Sequence, residues 1–287
     1  MIPRRDGIGN YPTTRRSFLL SASAATSVSA LDQARAYVAD RSFENRAGDG
    51  IPDVQKRSRA FNKRIESIFG PDQFEGFDVD RRDLLLDVRR IGPVRIFPST
   101  KTRIVDLFRS NGIYAQWLDY PRHYPAAGVA ERYGTTVKDL LWGRRSFYHE
   151  AVEPDLKNVA LQLFVVPGVP ARGDKGRIYS HWIHATGGGG GIGYINGFSA
   201  GNRAMVANRD DPAGEARLIF HELAHLVLCH DDDPKNRGVM GSNDRVDLLD
   251  HEWEQFRNGL SNVRDTTDYD LVLRPCLWEE TLRNVLD

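Results

Sequence analysis

The stretch that decides how this chain is read runs from Arg217 to Gly241: RLIFHELAHLVLCHDDDPKNRGVMG. Leu218, Ile219, Phe220, Leu223, Leu226 and Val227 crowd its first half with the apolar content of a buried helix, one that starts near Pro212. Into that helix the sequence sets His221, Glu222 and His225. At 3.6 residues per turn the two histidines lie about 40° apart, one turn above the other, so both imidazoles reach a single ion. Glu222 sits one step round from His221, which places its carboxylate beside the same point. Polar groups on such a helix need a reason, because burying them without partners is costly.

The spacing HExxH supplies one. Two ring nitrogens hold a zinc ion, and the carboxylate between them serves as general base. Zinc lowers the pKa of bound water from about 15.7 toward roughly 7 and polarises a substrate carbonyl. The glutamate takes the proton and later passes it to the leaving amine. A third protein ligand is expected. His230 follows His221 by nine residues, Asp231 by ten, and Glu252 and Glu254 lie farther on, in the probable helix DLLDHEWEQFRNGL. On an unbroken helix His230 would stand roughly 180° from His221, so the chain must turn after Leu228 for either near candidate to reach the ion. Asp232, Asp233 and Pro234 agree that the helix has ended by there.

Residues 221–241, HELAHLVLCHDDDPKNRGVMG, resemble the zinc signature and Met-turn of the metzincin metallopeptidases, HExxHxxGxxH or HExxHxxGxxD followed by a turn containing methionine. His221, Glu222 and His225 fall on the motif, and Val239-Met240-Gly241 on the turn. The resemblance implies an α/β (α+β) fold: a twisted, mixed, mostly parallel sheet backed by helices, with an active-site helix and Met240 packed under the metal. LQLFVVP would be an inner strand and GIGYING the edge strand over the cleft. It also implies a zinc-dependent metalloendopeptidase with Zn2+ held by His221, His225 and His230, Glu222 as base, and a peptide or protein substrate. There are departures. Leu228 stands where the family has glycine. Strict counting puts the third ligand at Asp231; a turn one residue shorter puts it at His230, which the family-like HDDDP favours. A gluzincin-type hydrolase, using Glu252 or Glu254, is the alternative within enzymes. A non-catalytic exported protein binding metal or glycan is the alternative outside them. Its support is VAERYGTTVKDLL (129–141), which resembles the helix–turn–helix half of a LysM glycan-binding module.

The rest of the chain sets the context. Residues 1–30 read as a twin-arginine export signal: a basic start, TTRRSFLL with Arg15 and Arg16, then small residues to Val28-Ser29-Ala30. Residues 31–78 read as a helical lead-in or pro-region, and 79–287 as the catalytic domain. The expected location is periplasmic or secreted, with no stable membrane insertion after signal removal. Lys+Arg and Asp+Glu both total 39, so no electrostatic pull toward nucleic acid is expected. The two cysteines, Cys229 and Cys276, make no disulfide scaffold. Strands are expected in 84–98, 113–121, 158–170 and 204–210, with a helix capped by Ser99-Thr100 and stopped at Asn111-Gly112. An insertion is expected over 125–155. His181 and His184 read as strand-edge residues, and the glycines 187–191 as a lip beside the cleft.

Overall fold

Residues 83–91, DLLLDVRRI, bury eight of nine side chains, and residues 160–166, ALQLFVV, bury all seven. Strands with no wet face need cover on both sides, which is the condition of a parallel sheet between helices. The computed structural model has this arrangement. It describes residues 44–134, 138–142, 145–167, 184–185, 193–194, 197–228, 238–241 and 245–264. The signal reading, Cys229, Cys276, His181, the glycines 187–191, His230 and Asp231 lie outside the described residues.

In chain order, helices α1 (Asp53–Arg57) and α2 (Arg59–Phe69) lead into strand β1 (Asp83–Ile91). Helix α3 (Pro98–Ser110) crosses over to β2 (Tyr114–Tyr124). Short helices α4 (Ala126–Tyr133), α5 (Phe147–Ala151) and α6 (Pro154–Lys157), with a π-helical turn at Lys138–Trp142, precede β3 (Ala160–Val166). Two-residue strands β4 (His184–Ala185) and β5 (Gly193–Tyr194) pair with each other. Then come β6 (Gly197–Ala200), β7 (Arg203–Ala207), α7 (Pro212–Val227) and α8 (Asp250–Arg264). The main sheet has the order β2-β1-β3-β7-β6; four strands are parallel, and β6 runs antiparallel to β7 at the edge. Among the described residues no helix is long and apolar enough to cross a membrane.

Strand pleating sorts the core into two layers. Leu84, Leu86 and Val88 join Leu161, Leu163, Val165, Ala204 and Val206 under α3, α7 and α8. Leu85, Phe164, Val166 and Met205 face the other way, onto α2 and α4–α6. The described part of the lead-in belongs to that second layer: Ile51, Ile65, Phe69 and Phe74 are all buried in it. So does the 125–155 segment. Val129, Leu140 and Leu141, from the stretch that resembles a glycan module, are spent on this core.

Two local expectations are corrected. Helix α3 is not capped by Ser99 or Thr100: Pro98 takes its first position, where no N–H is needed. Its opening is served from another helix. Glu215 Oε2 of α7 accepts the Phe97 N–H at 2.9 Å, and Thr100 Oγ1 donates to the Pro212 carbonyl at 3.2 Å. Burial pushes the Glu215 carboxyl up, opposed by its contacts with Thr100 and the Phe97 N–H. The sheet's edge strand is not GIGYING as a whole. Gly193 and Tyr194 pair with β4, and the edge strand begins only at Gly197.

The N-terminal segment is tied to β1 by a buried ammonium. Lys56 Nζ, with its side chain fully buried, lies 2.5 Å from Asp49 Oδ2 and 3.1 Å from Asp83 Oδ2, both on fully buried side chains. It also donates to the carbonyls of Asp78 and Arg81 at 2.9 and 2.6 Å. Removing one partner of such a group leaves charge without compensation. Lys56→Met is expected to cost about 3–5 kcal/mol of unfolding free energy, read by chemical denaturation.

Candidate metal centre

Helix α7 starts where the Asp211 side chain accepts the Gly214 N–H at 2.5 Å, with Pro212 in the first turn. Its apolar residues Ile219, Phe220, Leu223, Ala224 and Leu226 are 0–1% exposed, so the helix is buried on most of its circumference. It packs against β6 and β7 on one side and α3 and α8 on the other. The helix stops at Val227. Leu228 takes an extended backbone (φ −88°, ψ 136°), while its N–H still reaches the Ala224 carbonyl at 2.7 Å. The chain thus leaves the helix at the position where the resemblance places glycine, and Leu228 there is not left-handed.

The histidines meet as their spacing requires. His221 Nε2 and His225 Nε2 are 3.0 Å apart, with the rings perpendicular. His221 Nδ1 lies 2.9 Å from the Val239 carbonyl. A carbonyl only accepts, so Nδ1 carries the proton there and the Nε2 lone pair points to His225; this tautomer is inferred from the hydrogen bond. Two nitrogens bound to one zinc at about 2.0–2.1 Å would stand roughly 3.3 Å apart at the tetrahedral angle. The observed pair is close to that spacing, and a backbone carbonyl on the far nitrogen is the usual device for orienting a ligating histidine. The donor set therefore fits zinc on this side.

Residues 238–241 form a turn that contains Met240. Gly241 N–H bonds the Gly238 carbonyl at 3.2 Å, and Val239 N–H bonds the Asp247 carbonyl at 2.6 Å. Met240 is fully buried in the same core layer as Leu223 and Val227. The turn is fastened to α7 twice, through His221 to Val239 and through Arg217 Nη2 to the Gly241 carbonyl at 2.7 Å. Arg217 and His221 are four residues apart on one helix face, a spacing that could have flagged the arginine from sequence.

Glu222 is 6% exposed. Its carboxyl lies against Gly197 of the edge strand: a Cβ built there would stand 2.3 Å from Oε1 and 2.6 Å from both Cδ and Cγ. Glu252 is fully buried and turned to its own helix, where Oε2 accepts the Leu249 N–H at 2.7 Å in the manner of a capping-box glutamate. Glu254 is exposed. Among the described residues no three His, Cys, Asp or Glu side chains are grouped closely enough to hold an ion. His230 and Asp231 follow the point where the chain leaves α7 by two and three residues.

No family model matches the chain, and no curated protein is similar to it. Among solved structures, the crystal structure of an archaemetzincin from Methanopyrus kandleri is similar over 72% of this chain and 97% of its own, at 15% identity and a TM-score of 0.30.

Arg217→Met frees the Gly241 carbonyl while keeping the bulk of the arginine stem. It is expected to weaken zinc binding roughly tenfold, the low end for a group acting behind a ligand. Competition with a chromophoric chelator reads the change.

Proposed function

We propose that this chain is a zinc-dependent metallopeptidase, exported by the twin-arginine route. The convergence of His221 Nε2 and His225 Nε2 at 3.0 Å, with the Glu222 carboxyl on the next residue, carries the reading. His221 and His225 hold the metal through Nε2, and His230 or Asp231, just past the helix end, completes the set. Zinc in that place supplies the acidity that makes water a nucleophile at neutral pH, and it polarises the scissile carbonyl.

The chain's own groups do the rest. The Val239 carbonyl holds the proton of His221 on Nδ1 and fixes the ring. Met240 is buried in the same apolar layer as Leu223 and Val227 of the helix, and in this reading it packs under the metal. The Glu222 carboxylate takes the proton of the attacking water and returns it to the leaving amine. Edge strand β6, whose outer side carries no strand among the described residues, offers main-chain groups to an extended peptide. Glu252 caps α8, and this favours a ligand set drawn from the near candidates over one completed from α8.

Glu222→Gln is expected to bind zinc as the unaltered chain does and to hydrolyse a mixed peptide library about 10²–10⁴-fold more slowly. Full activity in that variant would remove the mechanism. Zinc content of His230→Ala and Asp231→Ala, measured separately, identifies the third ligand. For export, Arg15→Lys with Arg16→Lys should leave the chain unprocessed in the cytoplasm of a host with twin-arginine transport, as read by fractionation.

A further inference from the structure

Glycine is needed for two reasons, a backbone conformation closed to other residues or an approach too close for a side chain. Gly197 belongs to the second kind. Its φ is not in the left-handed region, and its backbone is held as ordinary antiparallel strand, paired with Val206 of β7. What excludes a larger residue is Glu222. A Cβ at 197 would meet three consecutive atoms of that side chain, Cγ, Cδ and Oε1, all within 2.6 Å. Cγ is among them, so rotating the carboxyl alone does not relieve the contact. Gly214 has a similarly close neighbour in Asp211, and there a cap hydrogen bond explains it. Gly128, by contrast, has nothing within 4 Å of its would-be Cβ.

We propose that Gly197 is a positioning residue for Glu222. Its bare α-carbon is the seat of the carboxyl, and it fixes how far the base stands from the edge strand along which a substrate would lie. Base and strand then act as one rigid unit, and placement is what such a unit contributes: a displacement of about 1 Å at a reacting group costs on the order of 10²-fold in rate. The inference rests on Glu222 being the base, so its test has two arms that fail separately.

The first arm needs no activity. Gly197→Ala should lower Tm in the full chain, because the new methyl drives into the Glu222 arm. In a Glu222→Ala background the same change should leave Tm unchanged or raise it, because ordinary strand geometry admits alanine and alanine restricts the unfolded chain. Gly128→Ala, where the space is open, is the control for the bare substitution. Equal effects of Gly197→Ala in both backgrounds would remove the coupling, and the seat with it.

The second arm reads the chemistry. Zinc-loaded Gly197→Ala should keep its zinc affinity within about threefold, since the substitution leaves both imidazoles in place. Its kcat should fall about a hundredfold with little change in KM. Wild-type kcat in Gly197→Ala beside an inactive Glu222→Gln would overturn the positioning role. An unaltered chain that binds zinc and cleaves nothing would end the reading of Glu222 as a base, and the stability cycle would then decide alone whether the seat exists.

Discussion

A carboxylate on a helix with almost no contact with water is the constraint around which this molecule is arranged. Helix α7 lies between the sheet and two other helices, with Phe220, Leu223 and Ala224 fully buried, and Glu222 is 6% exposed in their midst. An ionised group in that setting loses hydration worth several kcal/mol and must be compensated by partners or by a nearby cation. The two imidazoles of the same helix stand with their Nε2 atoms 3.0 Å apart. Close packing of the kind found in protein interiors also makes such a buried helix rigid.

That rigidity is inherited from the sheet. Parallel strands cannot be joined by tight hairpins, so each connection crosses a face and leaves a helix on it. Helix α3 is one such crossover, and its N-terminus is satisfied by Glu215 of α7, which locks the two helices together end to side. Phe108, Phe220, Trp253 and Phe256 fill the space where α3, α7 and α8 meet, in edge and tilted contacts 5.4–5.9 Å apart. The turn at 238–241 is then held from both directions. Asp247 binds Val239 N–H through its carbonyl and Trp253 Nε1 through its carboxylate at 2.9 Å, while His221 and Arg217 of α7 bind the turn's own carbonyls. Helix α7, the turn and the start of α8 are thus joined in series by hydrogen bonds.

Much of this was legible in the residues. The 3.6-residue period placed His221 and His225 on one face, and the nearly continuous apolar run at 160–166, interrupted only by Gln162, marked the inner strand. The polar run after Leu228 showed that the helix had to end, although not that an extended leucine could end it. Other features were not legible. Nothing near Ser99 shows that α3 is capped by a glutamate of a distant helix, and GIGYING does not disclose that Gly193 and Tyr194 pair with β4 while Gly197 pairs with β7. Glu252 read as a possible ligand because a carboxylate's type does not reveal its partner. The structure gives it the N–H of Leu249, the residue just before its own helix.

The sequence by itself determined the chemistry that depends on neighbours along one helix: two imidazoles a turn apart, a carboxylate beside them, and a hydrophobic setting that makes all three costly. Those relations are set by helical geometry, which is the same wherever the helix sits. Only the tertiary structure decided what surrounds them: the Val239 carbonyl on His221, Arg217 on the turn, Lys56 between two buried aspartates, and the bare edge of Gly197 beneath Glu222. These contacts join segments far apart in the chain. Their distances follow from how layers of side chains pack, which no local rule in the sequence contains.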